Sequence, residues 1–237
     1  MLKKTKQKLT AFLPCRKGSE RVINKNTKKF ADIENGLISI KLNQLLEINE
    51  IDEIFLSTND AKIINYASSL NNNRIYIDER SESLCSGETS TDELIQYVAN
   101  KITNGVIIWT HVTSPFVSTS VYKKAIDNYY KHVLAGKYDS IMTVCAFQKF
   151  IWDANGPINY NKDSEKWPRT QTIQNLYEIN SGIFMADTSI YKKYSDRIGP
   201  MPYLMKLEEL TAFDIDWESD WILAEQIHLN KIAKTYV

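Results

Sequence analysis

A basic segment follows the first apolar stretch of the chain and is the first candidate for chemistry. Four cations surround a Gly-Ser pair in it: Arg16, Lys17, Arg21 and Lys25 around Gly18 and Ser19. Cationic side chains and free backbone N–H groups at a flexible turn suit a polyphosphate. The segment matches neither the G-x-x-x-x-G-K-[ST] nor the G-x-G-x-x-G pattern. Its charge alone is also typical of a solvated loop.

A pair of carboxylates near the end of the sequence is the second candidate. Asp214 and Asp216 flank Ile215, and we expect them at a strand end, where alternate side chains share one face about 6–7 Å apart. Two such carboxylates suit Mg²⁺, which completes its coordination with substrate phosphates and water. The alternative interpretation is that Asp216 caps a helix over 217–230 and that Asp214 is solvated.

Other polar segments follow predicted strands or interrupt them. They contain Arg80, the run Thr113-Ser114-Pro115, Arg169 and Gln171, and Tyr177 with Asn180-Ser181-Gly182. Each of these segments alone is more typical of a turn than of a site. His111 ends a predicted strand, where it could contact a ligand or form a structural hydrogen bond. Cys15 has no nearby histidine to activate it, so we interpret it as a small buried residue.

Short apolar runs alternate with segments of helical period along the chain. The predicted strands are 9–13, 53–57, 74–77, 105–109, 140–144 and 177–185, and the predicted helices are 37–48, 60–70, 90–101, 120–134 and 217–230. Asp60 and the Ser90-x-x-Glu93 capping box mark two helix starts. This alternation predicts an α/β fold with a mostly parallel, doubly wound sheet. Residues 148–182 break the rhythm and are rich in aromatic and amide side chains. We expect an inserted arm there that contacts substrate or a partner.

The composition excludes several classes of protein. The 237 residues carry 29 Lys and Arg against 29 Asp and Glu, so the basic excess typical of a nucleic-acid-binding protein is missing. Hydrophobic residues make up 43%, which excludes bulk disorder, and the length predicts a single domain over 9–237. No apolar run is long enough to span a membrane. The basic segment 1–8 lacks the apolar core of a signal peptide, so we expect a disordered tail and a cytoplasmic protein. The 3 cysteines form no C-x-x-C pair, which argues against a zinc ribbon.

Taken in order, these segments resemble the acylneuraminate cytidylyltransferase family. The family's opening pattern, (I/L)-P-A-R-x-G-S-K-R-x-x-x-K-N, aligns with the run from Leu13 to Asn26. Its closing pattern, D-x-D…D-W…A-E, is matched by Asp214, Asp216, Asp220, Trp221, Ala224 and Glu225. Weaker matches between them are Arg80 with Leu84, the run 110–117, and Arg169, Gln171, Tyr177 and Gly182. The resemblance covers nearly the whole chain.

The resemblance implies a Rossmann-like, GT-A-related nucleotidyltransferase. Such an enzyme transfers CMP from CTP to a sialic-acid-like or other acidic sugar, uses Mg²⁺ and releases pyrophosphate. The resemblance assigns catalysis to Arg16, Lys25 and Asp216, and metal binding to Asp214 and Asp216. It assigns nucleotide binding to Arg16, Gly18, Ser19, Arg21, Lys25, Asn26 and Arg80, and acceptor binding to His111, Arg169 and Gln171. It also implies a homodimer contact through the inserted arm.

The chain departs from the family pattern at several positions. Glu20 replaces a basic residue, His111 a glutamine and Val117 an arginine, and Gln148-Lys149-Phe150 stands where a His-Pro is usual. We therefore expect an acceptor other than N-acetylneuraminic acid. Two alternatives stay open: a GT-A-type glycosyltransferase that uses Asp214-x-Asp216, and a non-catalytic nucleotide-binding protein.

Overall fold

A seven-stranded sheet forms the centre of the computed structural model, which describes residues 7–232. In chain order the strands are β1 (Leu9–Cys15), β2 (Glu53–Thr58), β3 (Ile75–Glu79), β4 (Val106–Trp109), β5 (Ser140–Phe147), β6 (Trp152–Asp153), β7 (Gly156–Pro157), β8 (Leu176–Asp187) and β9 (Pro202–Leu207). The sheet order is β3-β2-β1-β4-β8-β5-β9, and β6 and β7 form a separate hairpin. β8 runs antiparallel to β4 and β5, and the other pairs of the sheet are parallel. The predicted mostly parallel α/β fold is confirmed.

The α-helices in the described part of the chain are α1 (Gly36–Leu46), α2 (Ala61–Ser69), α3 (Thr91–Lys101), α4 (Thr119–Asn128), α5 (Thr188–Tyr194) and α6 (Glu218–Leu229). Five of these six helices begin close to their predicted starts, and α5 has no predicted counterpart. The Asp60 side chain accepts a hydrogen bond from the N–H of Lys62, and Ser90 and Glu93 form a capping box. Both predicted caps are therefore confirmed. α4 continues into a π-helical turn over 129–133.

Two apolar layers, one on each face of the sheet, hold the fold together. Helices α1, α2, α4 and α6 contribute to the larger layer, in which Leu42, Tyr122 and Trp221 are buried. α3 and α5 contribute to the other, around Phe12 and Trp109, whose ring centroids lie 4.7 Å apart. Burial on both faces explains why the strands read as continuous apolar runs. None of the helices within 7–232 has the length and apolar character to cross a membrane.

The structure corrects the far boundary of the inserted arm. β8 lies in the middle of the sheet and begins at residue 176, so the arm is 148–175 rather than 148–182. Asn180, Ser181 and Gly182, expected in a turn, lie within β8 next to a register shift opposite β5. The predicted strand 177–185 is therefore confirmed, and the exposed polar residues of its first half explain why these positions also looked like part of the arm.

The C-terminal third contains two elements to which the sequence analysis assigns nothing, α5 and β9. β9 begins at Pro202. Proline is tolerated there because β9 is an edge strand and Pro202 is its first residue.

The predicted N-terminal tail is shorter than expected at its inner end. Residues 1–6 lie outside the described part of the chain. The Gln7 amide donates to the Asp187 carboxylate at 2.9 Å, and Lys8 pairs with Glu53 at 2.9 Å. Residues 7 and 8 are therefore attached to the domain.

Gly36 determines where α1 begins against the basic segment. Its φ is 45°, and a Cβ there would overlap the carbonyl of Lys28. Two residues later, the N–H of Ile38 donates to the carbonyl of Asn26 at 2.9 Å. This close approach lets α1 support the end of the basic segment.

We expect Gly36→Ala to lower the free energy of unfolding by about 2–3 kcal/mol, because the backbone at residue 28 must move. Gly136→Ala is the matched control: its φ is 79°, but nothing lies within 4 Å of the added Cβ. The control should cost about 1 kcal/mol for the backbone conformation alone. Urea unfolding measures both, and equal losses would contradict the packing argument.

Candidate active site

A cavity of about 370 Å³, called the first cavity, opens at the carboxyl ends of β1 and β4. Its lining includes six of the predicted site residues: Arg16, Ser19, Arg21, Lys25, Asn26 and His111. Glu20, Gly87 and Thr113 also line it. Crevices at this edge of an open α/β sheet are the usual ligand sites. The basic segment therefore forms the wall of a cavity rather than a solvated loop.

Contacts with the sheet hold the basic segment in place. The Asn26 amide donates to the carbonyl of Arg16 at 3.1 Å, and the Thr58 hydroxyl donates to that of Cys15 at 2.6 Å. Gly18 has a φ of 83°, a conformation that other residues adopt at a cost. Gly18 thus allows the backbone turn of the basic segment, whereas Arg16, Arg21 and Lys25 line the cavity.

The Asp-x-Asp segment is fixed through the residue between its carboxylates. The N–H of Ile215 donates to the carbonyl of Thr113 at 2.9 Å, and its own carbonyl accepts from Lys25 Nζ at 2.7 Å. The Ile215 side chain is fully buried. The first and last sequence motifs therefore meet through direct contacts.

Asp216 faces the cations of the basic segment. Its Oδ1 lies 3.0 Å from Arg21 Nη2 and 3.8 Å from Lys25 Nζ. Burial lowers the pKa of Lys25, and the negative charges of Asp216 and Asp214 oppose that shift. Arg21 also lies over the Trp217 ring, 5.0 Å from its centroid. One carboxylate is thus shared by two cations that line the first cavity.

Both earlier interpretations of the surroundings of Asp216 need correction. Residues 213–216 form an irregular loop, not a strand end. The Asp220 carboxylate accepts from the N–H groups of Asp216 and Trp217 at 3.0 and 2.7 Å. The residue at the N-cap position of α6 is Trp217, and Asp220 accepts from its N–H, so Asp216 is not the cap of this helix.

A second cavity of about 590 Å³ lies on the other side of the Asp-x-Asp loop, and both Asp214 and Asp216 line it. Phe147 and Phe213 give it apolar walls, and Lys149 is the one cation among the described residues that line it. Glu178 and Glu209 add carboxylates to its lining. Burial raises the pKa of the Cys145 thiol on the same wall; the hydrogen bond with Asn180 opposes this shift, and the nearby glutamate charges add to it. The two cavities differ in charge, and Asp216 connects them because it lines the second and pairs with Arg21 and Lys25 of the first.

The two carboxylates fit Mg²⁺ as donors. Both supply hard oxygen atoms to the same cavity, and proteins usually hold Mg²⁺ through one or two carboxylates together with phosphates and water. Within 7–232, no group of three His, Cys, Asp or Glu side chains could hold a metal. A metal at this place would therefore complete its coordination with water or with substrate oxygens.

Arg80 lies beside the first cavity rather than in its lining. It is 4% exposed, its Nε donates to Cys85 Sγ at 3.2 Å, and its Nη1 has no hydrogen-bond partner in the described part of the chain. The arginine's charge acts on the Cys15 thiol, whose pKa burial nevertheless raises to about 12. Such a buried, unpaired guanidinium N–H is costly, and a ligand oxygen would satisfy it.

His111 lines the first cavity, but protein groups occupy both of its ring nitrogens. Trp109 Nε1 lies 3.0 Å from Nε2, and the Ser181 carbonyl lies 3.0 Å from Nδ1. Because an indole N–H only donates, Nε2 accepts and Nδ1 carries the proton. Burial lowers the pKa of His111, and the Arg197 charge acts in the same direction. The ring is therefore a neutral brace between β4 and β8.

Arg169 and Gln171 lie in the inserted arm and line neither cavity. Both side chains are exposed. The Gln171 carbonyl accepts from the Gln148 amide at 3.1 Å. A single copy of the chain does not bring these two predicted acceptor residues to the other site residues.

Most residues that line the second cavity could not be identified as site residues from the sequence. Lys149 is visible there as a departure from a family pattern, and Asn180 as part of an expected turn. Glu178 and Glu209 carry no signal, because their common wall depends on β8 pairing with β5 and on the loop that follows β9. The alternation of residues along the predicted strand 177–185 could have grouped Glu178 with Asn180 on one face.

The chain matches a family model described as Cytidylyltransferase over residues 10–234. No curated protein matches it. Among solved structures it is similar to CMP:2-keto-3-deoxy-manno-octonic acid synthetase complexed with CTP, with a TM-score of 0.66 and 12% identity over 94% of this chain and 99% of that chain. It is also similar to 4-diphosphocytidyl-2C-methyl-D-erythritol synthase from Anaerococcus prevotii DSM 20548, with a TM-score of 0.68 and 16% identity over 94% and 97% of the two chains. At these identities the structural likeness shows the fold.

We expect His111 to make stability depend on pH. Its pKa is lower in the folded than in the unfolded chain. The unfolded chain therefore binds more protons as the pH falls through about 6.5, and stability is lost in that window. Between pH 7.5 and 5.5 the unmodified protein should lose about 1 kcal/mol more than His111→Gln, which keeps a donor and an acceptor but does not titrate.

Chemical unfolding at several pH values checks this expectation. Parallel curves for His111→Gln and the unmodified protein would show that His111 titrates alike in the folded and unfolded states.

Proposed function

We propose that this chain, which belongs to the cytidylyltransferase family, transfers CMP from CTP to a hydroxyl group of an acidic sugar. The observation that carries the proposal is the position of Asp214 and Asp216 between two cavities of different charge. The family is CTP-dependent. The acidic sugar, Mg²⁺ and the residue roles are parts of the proposal.

The first cavity suits the triphosphate of CTP. Arg16, Arg21 and Lys25 line it, and Lys25 is 12% exposed, so its charge is poorly screened by water. Phosphoryl transfer needs placement and charge neutralisation more than a covalent nucleophile. The high pKa of Cys15, which keeps the thiol protonated, agrees with a reaction that needs no thiolate.

The reaction joins the contents of the two cavities at the aspartate loop. An acceptor hydroxyl oxygen attacks the α-phosphorus of CTP, the bond to the β-phosphate oxygen breaks, and pyrophosphate leaves with the electron pair. The hydroxyl proton passes to water or to a nearby base. When bound, Mg²⁺ would neutralise phosphate charge and favour ionisation of the hydroxyl. Arg21 and Lys25 hold Asp216 in place before substrate arrives.

The second cavity suits the acceptor. Lys149 can pair with an acceptor carboxylate, and Phe147 and Phe213 can contact the apolar face of a sugar ring. Glu178, Asn180 and Glu209 supply polar groups that accept hydrogen bonds from hydroxyl groups. A solved structure with the same fold is named as a synthetase for a sugar acid, which agrees with this acceptor class.

The inserted arm supports a homodimer in this proposal. Its exposed aromatic residues include Trp152 and Trp167, at 46% and 69% exposure, and aromatic residues are enriched at interface cores. In a dimer, Arg169 and Gln171 of one copy would contact the acceptor in the site of the other copy. A monomer mass in light scattering at micromolar concentration would contradict the dimer.

With CTP, Mg²⁺ and a panel of acidic sugars, we expect pyrophosphate release and a CMP-linked product. Asp214→Asn and Asp216→Asn should each lower kcat by about 100-fold or more, because each removes charge from the proposed metal site. Glu218→Gln is the control: that side chain pairs with Lys28 at the surface, and its loss should change kcat by less than about twofold.

Three other outcomes would redirect the interpretation. Full activity in either aspartate variant would remove its proposed metal role. Glycosyl transfer from a nucleoside diphosphate sugar without pyrophosphate release from CTP would favour the glycosyltransferase alternative. CTP binding without turnover of any acceptor would favour the non-catalytic alternative.

We expect Lys149→Met to raise the KM for the acidic acceptor about tenfold, because one charge-assisted hydrogen bond contributes about 1.5–3 kcal/mol. The KM for CTP should stay the same, since Lys149 lies on the other side of the aspartate loop. Lys166→Met removes an exposed arm lysine that lines neither cavity and serves as the control. Steady-state kinetics on both substrates decide, and an unchanged acceptor KM would contradict the role of Lys149.

A further inference from the structure

Lys41 is a fully buried lysine on α1, at 0% exposure. Its Nζ donates to the carbonyl of Ser114 at 2.9 Å, to that of Val117 at 3.4 Å and to the Tyr122 hydroxyl at 2.9 Å. An ammonium group has three hydrogens to donate. Each of them therefore meets one acceptor, and the group is satisfied only when it is protonated.

The contacts of Lys41 converge on the β4–α4 connection, defined here as residues 110–118. Gln44, one turn later on α1, donates to the carbonyl of Pro115 in the same connection at 2.7 Å. The Tyr122 hydroxyl is bonded to the Thr110 hydroxyl at 2.6 Å. Helix α1 thus holds this connection at several points from its buried side.

The β4–α4 connection holds the Asp-x-Asp loop on its opposite side. The carbonyl of Thr113 accepts from the N–H of Ile215 at 2.9 Å. The Ser114 hydroxyl lies 3.5 Å from Asp214 Oδ1. Lys41 and the Asp-x-Asp loop therefore both contact the β4–α4 connection, and Ser114 has contacts with Lys41 and with Asp214.

A buried lysine is costly for the fold. Burial lowers the pKa of Lys41 to about 7, and the negative charge of Asp214 opposes the shift. Replacing buried charged groups with apolar residues of similar volume is often neutral or stabilising. A role of the ammonium group in the site explains why a charged residue occupies this costly position. It also explains why its charge interacts with that of Asp214.

We propose that Lys41 is a positioning residue of the transfer site, whose ammonium group fixes the β4–α4 connection and thereby places Asp214 and Asp216 for a divalent cation. This inference rests on the proposed function, because the cation is part of that proposal. Lys41 does not touch the second cavity and acts through Ser114 and Thr113.

The test uses Mn²⁺ binding to the whole protein, measured by electron paramagnetic resonance of the free ion without nucleotide or turnover. Lys41→Met keeps the length of the side chain and removes its charge and hydrogen bonds. We expect its Kd for Mn²⁺ to rise by about tenfold or more, the size of effect seen when outer partners of metal ligands are lost. Tyr122→Phe is the matched control: it removes one acceptor of Lys41 but leaves both carbonyl contacts, so its Kd should be unchanged.

Thermal unfolding of each variant separates positioning from a purely structural role. Weaker Mn²⁺ binding in Lys41→Met, with Tyr122→Phe destabilised but binding normally, supports the proposal. Equal Kd values for Lys41→Met and the unmodified protein overturn it, as does weakening that follows stability equally in both variants. If Lys41→Met does not fold, Gln44→Met carries the test, since it removes the Pro115 contact and keeps the buried charge. A Kd about threefold higher in Gln44→Met supports the proposal, and an unchanged Kd overturns it.

The results distinguish a failure of the positioning role of Lys41 from a failure of the proposed CMP transfer. No Mn²⁺ binding by the unmodified protein would overturn the role of Lys41 together with the metal role of the aspartates. Mn²⁺ binding that depends on Lys41, in a protein that forms no CMP-linked product, would leave the positioning role intact and remove the proposed reaction.

Discussion

The rest of the site depends on two hydrogen bonds made by the backbone of Ile215. Its N–H is bound by Thr113 and its carbonyl by Lys25, so it joins the Asp-x-Asp loop both to the connection after β4 and to the basic segment. The buried side chain of Ile215 fixes the loop against the core. Because Ile215 is held in this way, the carboxylates of Asp214 and Asp216 have little freedom to move away from the second cavity, which both of them line.

The charges around this loop divide the site into two halves. Cations dominate the first cavity, and carboxylates with a single described lysine line the second. Asp216 interacts with the cations of the first cavity while lining the second. An anionic, polyphosphate-bearing substrate and a hydroxyl-rich one would therefore prefer different sides, and their reacting groups would meet at the aspartates. Placement of this kind is most of what phosphoryl transfer requires from a protein.

Much of the fold could be predicted from sequence, and the site could be predicted in part. The apolar runs at β1, β2, β4 and β5 and the caps at Asp60 and Ser90 are local signals, and the structure has these elements where the signals place them. β8 could be predicted as a strand over 177–185, although its exposed, polar first half is also typical of an inserted arm. β9, which starts with a proline at the sheet edge, could not be assigned. Local pattern fails there because long-range pairing, rather than the segment's own composition, makes the strand.

The sequence by itself determined which residue types could do chemistry and their order along the chain: a basic segment after the first strand and two carboxylates near the end. Only the tertiary structure decided what each side chain contacts. It placed Trp217 rather than Asp216 at the N-cap position of α6, and Asp220 accepts from the backbone N–H groups of both residues. In the folded chain both ring nitrogens of His111 have protein partners, and Arg169 and Gln171 lie on the arm away from both cavities. The tertiary structure also buried Lys41 beneath the β4–α4 connection, although nothing in the helical pattern of α1 marks that lysine as a site residue. The physical reason is that hydrogen bonds and ion pairs reach only about 3–4 Å. Their partners are therefore set by how the sheet brings distant segments together, and sequence spacing does not record that distance.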